Sequence, residues 1–135
     1  MKAIIYGRER TIKKLTGLLE DEGIEVKVKR DGIYKTMDWQ EDGEFDLAIV
    51  DSHIETAGLA CRNIRESGNT PIALLVDPRR ANWKQLEPLG ADCYLPETKE
   101  NGEMAARLRA ILRRYLYGRP AEGRPVSVSG GTAAN

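Results

Sequence analysis

Asp51 is the residue of this chain best placed to do chemistry. It closes an apolar run, Leu47-Ala48-Ile49-Val50, that follows Phe45-Asp46, and a second apolar run, Pro71-Ile72-Ala73-Leu74-Leu75-Val76, comes about twenty residues later. A strand that is apolar throughout is covered on both faces, and an acid at its end stands at the carboxyl edge of the sheet, where open α/β folds bind their ligands. The chemistry on offer is binding through a carboxylate, and the surrounding groups decide its form. Asp77, Asp92 and Glu97 are expected near the same edge; without a metal these acids would repel one another, so Arg8 or Lys99 is expected to offset part of the charge. Cys61 and Cys93 lie inside apolar segments and show no metal-ligand spacing. No glycine-rich phosphate loop follows the first strand, which argues against a nucleotide or flavin.

Holding these groups at one edge requires a parallel sheet, and the chain alternates the elements that build one. Ala3 to Tyr6 reads as a short buried strand, and residues 11–22 carry Ile12, Leu15, Leu18 and Leu19 at helical spacing until Gly23 stops them. Ile24, Val26 and Val28 alternate with Glu25, Lys27 and Lys29, as in a strand with one exposed face or at an edge. Residues 30–44 offer only a short helical face, Ile33 and Met37. Leu59, Ala60 and Ile64 mark a helix closed by Gly68-Asn69, after which Pro71 opens a fourth strand. A short helix is predicted over 82–89 with Trp83 and Leu86 inward, then a fifth strand at Cys93-Tyr94-Leu95. The closing helix, from 101 to 115, places Met104, Leu108, Ile111, Leu112 and Tyr115 on one face.

This alternation predicts an α/β fold: a doubly wound, five-stranded parallel sheet of order 2-1-3-4-5, flavodoxin-like, in a three-layer sandwich. With 135 residues and 41% hydrophobic content, one core is expected, in residues 1–116; residues 117–135, where Gly-Arg-Pro occurs twice, read as a linker or tail. The 21 basic and 21 acidic residues cancel, which removes the global attraction that non-specific nucleic-acid or anionic-membrane binding draws on. Two cysteines are too few for a disulfide framework and fit a reducing cytosol. No segment approaches the ~18 apolar residues of a membrane span or the apolar core of a signal peptide, so a cytoplasmic protein without membrane contact is expected.

The segments Phe45-Asp46-Leu47-Ala48-Ile49-Val50-Asp51, Ile64-Arg65-Glu66-Ser67-Gly68-Asn69-Thr70-Pro71-Ile72 and Gly90-Ala91-Asp92-Cys93-Tyr94-Leu95 together resemble the receiver domain of two-component response regulators, over about residues 2–116. The closing helix resembles the branch whose receivers precede a winged-helix DNA-binding domain. The resemblance implies that Asp51 is the phosphoacceptor-equivalent position and Tyr94 the switch aromatic, with Gly7, Arg8, Glu9, Val76, Glu97 and Lys99 lining the site. It also shows departures. The acidic pair that helps hold Mg²⁺ after the first strand is Gly7-Arg8 here, and Glu9 is the nearest acid left. Val76 stands where the family has a Ser or Thr, and Glu97 where it has a Lys. Asp51 is therefore expected to pair with Arg8 in a charge-assisted bond. Asp51-Ser52-His53 also resembles the start of a cobalamin-binding motif, but Thr56 stands where that motif has Gly.

These departures imply an atypical, non-enzymatic receiver with no cofactor. It would act in transcription regulation through protein contacts independently of phosphorylation, including a homodimer through helix 4, strand 5 and helix 5 of the family pattern, here residues 82–89, strand 5 and the closing helix. DNA would be reached only through a domain outside these residues. Two alternatives remain: a phospho-accepting receiver with Asp51 as acceptor, Mg²⁺ bound with help from Glu9, and Lys99 replacing the lysine; and a small-ligand sensor using the same strand edge.

Overall fold

Alternation of apolar residues between the two sides of every strand sets the architecture of this chain. The computed structural model describes residues 1–30 and 45–117. It contains β1 (Lys2–Gly7), α1 (Glu9–Asp21), β2 (Glu25–Arg30), β3 (Leu47–Asp51), α2 (Ala57–Ser67), β4 (Ile72–Val76), a one-turn α3 (Trp83–Leu86) continued by a 3₁₀ turn (Glu87–Leu89), β5 (Cys93–Pro96) and α4 (Asn101–Leu112), which widens into π geometry over Arg113–Tyr117. The sheet is parallel throughout, with order β2-β1-β3-β4-β5, as the sequence predicts.

Side chains of successive strand residues point to opposite faces, so every strand but the edge strand β2 feeds two cores. Ala3, Ile5, Leu47, Ile49, Ala73, Leu75 and Leu95 pack with Ile12, Leu15 and Leu19 of α1 and Met104, Leu108 and Leu112 of α4. Ile4, Tyr6, Ala48, Val50, Ile72, Leu74 and Val76 pack with Ala57, Ala60, Cys61 and Ile64 of α2 on the other face. β2, at the edge, keeps Val26 and Val28 half-buried against the first cluster, which explains its alternating sequence. Burial pushes the thiols of Cys61 and Cys93 up to about 11, which keeps both protonated and unreactive at neutral pH.

Gly23 stops α1 as predicted, and the geometry shows how. Its φ of +78° lets its N–H bond to Glu20 O at 2.9 Å while Ile24 N bonds to Leu19 O at 3.1 Å, and Ile24 and Leu19 share one core. Two expectations are corrected. Trp83 is 49% exposed rather than inward, because a single turn at the surface cannot turn both Trp83 and Leu86 to the sheet; its ring instead meets Tyr94 edge-on, with centroids 5.0 Å apart. Asp92 lies at the amino edge, not beside Asp51, because it precedes the parallel β5. There its carboxylate accepts from Ile72 N at 2.7 Å and from Arg65 Nη2 at 2.6 Å. The helical face expected within residues 30–44 falls, apart from Arg30 at the end of β2, outside the described residues, as does nearly all of the 117–135 tail.

Candidate functional site

The carboxyl ends of β1 and β3 lie side by side in the sheet, and this brings Gly7, Arg8 and Asp51 together. Asp51 follows Leu47 and Ile49 in the strand alternation, so it faces the α1 side, and it is completely buried. Arg8 is the residue before α1. Its backbone is extended (φ −73°, ψ 157°), and its carbonyl accepts the first helical bond, from Ile12 N at 2.9 Å. That conformation turns its side chain back over the sheet edge. Gly7 allows the close approach: a Cβ there would lie 3.1 Å from Asp51 Cβ and 3.5 Å from Asp51 Oδ2.

The guanidinium of Arg8 grips Asp51 with two nitrogens. Nε donates to Oδ2 at 2.7 Å and Nη2 to Oδ1 at 3.3 Å, while the Arg8 backbone N–H donates to Oδ2 at 3.3 Å. The expected Arg8 to Asp51 pair is therefore present, in the forked geometry that a guanidinium and a carboxylate favour. Arg8 also reaches Glu97, with Nη2 to Oε1 at 3.5 Å. One cation thus balances two of the acids at this edge, the role for which either Arg8 or Lys99 was expected. Lys99 is exposed and makes no ion pair among the described residues.

Sequence reasoning missed His53 as a member of this cluster. Its backbone N–H donates to Asp51 Oδ1 at 3.0 Å, and its ring Nδ1 lies 3.0 Å from Asp51 Oδ1 and 3.1 Å from Arg8 Nη2. The available signal was the spacing: a residue two beyond a strand-ending Asp can bend back in an Asx turn and meet that acid's side chain. The remaining predicted positions are spread around the edge. Val76 packs in the α2-side core, Tyr94 is half-buried against that same core, and Glu9 is exposed in the first turn of α1.

Burial pushes the Asp51 carboxyl up, but the hydrogen bonds from Arg8 and His53 and the Arg8 charge together hold it below the usual carboxylate range. Burial likewise lowers Arg8, yet its bonds and charges with Asp51 and Glu97 leave it raised. Asp51 is thus an anion whose two oxygens are already engaged. Magnesium requires several oxygen ligands in near-octahedral geometry. Among the described residues no three His, Cys, Asp or Glu side chains gather as metal ligands, Gly7 offers none, and the Arg8 guanidinium stands against the carboxylate. These residues, as arranged, do not fit the ion.

No protein-family profile matches the chain. It is 36% identical over 121 residues, 84% of its own length, to the transcriptional regulatory protein CpxR of Escherichia coli strain K12, and 30% identical over 118 residues to the response regulator ArlR of Staphylococcus saprophyticus. This chain is a homologue of response regulators. It spans about half the length of these relatives, 50% of CpxR and 53% of ArlR. Its fold is that of receiver domains. The receiver domain of the sensor histidine kinase PA1611 from Pseudomonas aeruginosa PAO1, described with magnesium coordinated in its active-site cleft, superposes with a TM-score of 0.62 at 18% identity, covering 84% of this chain and 95% of that one. This receiver homologue has no described helix long and apolar enough to cross a membrane.

Proposed function

We propose that this receiver homologue is an atypical, non-enzymatic signalling module of the cytoplasm that works through protein contacts without phosphorylation, within a regulator of transcription. The observation that carries this reading is the two-pronged grip of Arg8 on Asp51, joined by His53, which sets a fixed cation against the carboxylate. A carboxylate attacks a phosphoryl group poorly unless a cation neutralises the developing charge next to it, and here the cation is bonded to the nucleophile itself. Val76 adds no hydroxyl and Glu97 adds a negative charge in place of a lysine. Residues 1–116 form the signalling unit and 117–135 a linker; any DNA contact belongs to a separate domain. A homodimer would form through α3, β5 and α4, and Tyr94, in edge contact with exposed Trp83, sits on that face.

Incubation with acetyl phosphate or beryllofluoride plus Mg²⁺, followed by intact-mass and fluorine NMR measurements, tests the reading. Unmodified protein is the expected result. Stoichiometric modification at Asp51 would establish a working phosphoacceptor instead.

A further inference from the structure

We infer that a cleft between α1 and the segments that follow β4 and β5 is a binding site for a small organic anion with an apolar part. The cleft has a volume of about 320 Å³, at the lower end of the range of small-molecule sites. Four cations, Arg10, Lys14, Arg79 and Lys99, line it against two acids, Asp77 and Glu97. Both acids are already engaged. Asp77 lies 3.9 Å from Arg79, and Glu97 is 3.5 Å from Arg8. Arg10 and Lys99 have no ion-pair or hydrogen-bond partner among the described residues, so the cleft presents unbalanced positive charge.

The cleft also has an apolar part, independent of these surface cations: Leu15, Leu75 and Met104 line it together with Thr11, which is only 4% exposed. The site is also preformed. Lys14 Nζ donates to Thr98 O at 2.7 Å, tying α1 to the segment after β5, and Thr98 N donates to Met104 Sδ at 3.4 Å. Glu97 belongs both to this cleft and to the Arg8 cluster, so an anion held by Lys99 repels Glu97 toward Arg8 and reports its presence to Asp51.

Titration of the full chain with phenyl phosphate, followed by ¹H–¹⁵N NMR, tests the site, with inorganic phosphate as the comparison; the readout is the same whether or not Asp51 accepts phosphate. The expected result is saturable movement of the Thr11, Lys14, Thr98 and Lys99 amides with a Kd of about 1 mM or tighter, and weaker binding of inorganic phosphate, which lacks the apolar part. The double variant Arg10→Ala, Lys99→Ala, at two exposed positions, should weaken binding about tenfold or more with the thermal midpoint unchanged. Absence of saturable movement, movement spread over Arg107, Arg113 and Arg114 instead, equal affinity for the two phosphates, or undiminished binding by the double variant would each overturn the inference.

Discussion

A completely buried carboxylate survives in a protein only when its charge is matched, and for Asp51 the match is Arg8. Arg8→Ala leaves that charge with the His53 contacts and the backbone N–H of residue 8, and no cation bonded to it in a fork. We expect a loss of about 3 kcal/mol at neutral pH, the lower end of the range for a broken buried pair because the Arg8 side chain is 27% exposed, measurable by urea denaturation. Arg8→Lys should recover only part of it, since one ammonium cannot reproduce the fork. The pH dependence follows from the direction of the Asp51 shift. Its folded pKa lies below the ordinary value of 3.8, so the pair's contribution is fully present above that value and fades as pH falls through the lower folded one. In Arg8→Ala the lowering by the guanidinium is lost while burial still raises the carboxyl and the His53 bonds still lower it, so the folded pKa moves up and the part of the stability that is lost in acid shrinks. Denaturation curves at neutral pH and near pH 3 should therefore converge for the two proteins, and a gap that stays constant would refute the assignment.

At the scale of elements, the two edges of the sheet do different work. The amino edge is fastened by side chains that bond to backbone: Asp92 to Ile72 N, Thr70 Oγ1 to Phe45 O at 3.1 Å, and Asp46 to Lys2 N at 2.9 Å. Arg65 adds a bond to Gly90 O at 2.9 Å, which joins α2 to the turn before β5. The two motif segments around Arg65 and Asp92 are thus halves of one fastening. Asp92→Ala should cost about 1–3 kcal/mol, because it leaves a part-buried amide without its acceptor. The chemical shifts of Arg8 and His53 should stay in place, since the change lies at the opposite edge; displacement of those signals would show the edges to be coupled. The helices were legible from their spacing, and Gly23 gave the end of α1 because only a positive φ completes that cap. Trp83 was misplaced for an equally physical reason: hydropathy alone does not reveal that its helix lasts one turn.

For the molecule as a whole, a site closed by its own arginine should not change assembly when a phosphate mimic is offered. Sedimentation with and without beryllofluoride and Mg²⁺ should give the same mass; a mass that rises with the mimic would restore a phosphorylation-driven switch. Net charge of zero leaves any association to local surfaces rather than to a global field. The sequence by itself determined the alternating strands and helices, the two-sided core and the place of Asp51 at a strand end, because strand alternation and helix spacing are local patterns repeated along the chain; the order β2-β1-β3-β4-β5 was one choice among doubly wound arrangements, and the structure has it. It also pointed to Arg8 as the partner, since Gly7-Arg8 replaces an acidic pair. Asp92's place at the far edge already follows from a parallel fifth strand that begins at Cys93, but only the tertiary structure decided that His53 joins the cluster and that Glu97 shares the same guanidinium. Those contacts join residues from separate strand ends or depend on which way a loop turns, and such distances are set when the sheet closes rather than by any local pattern.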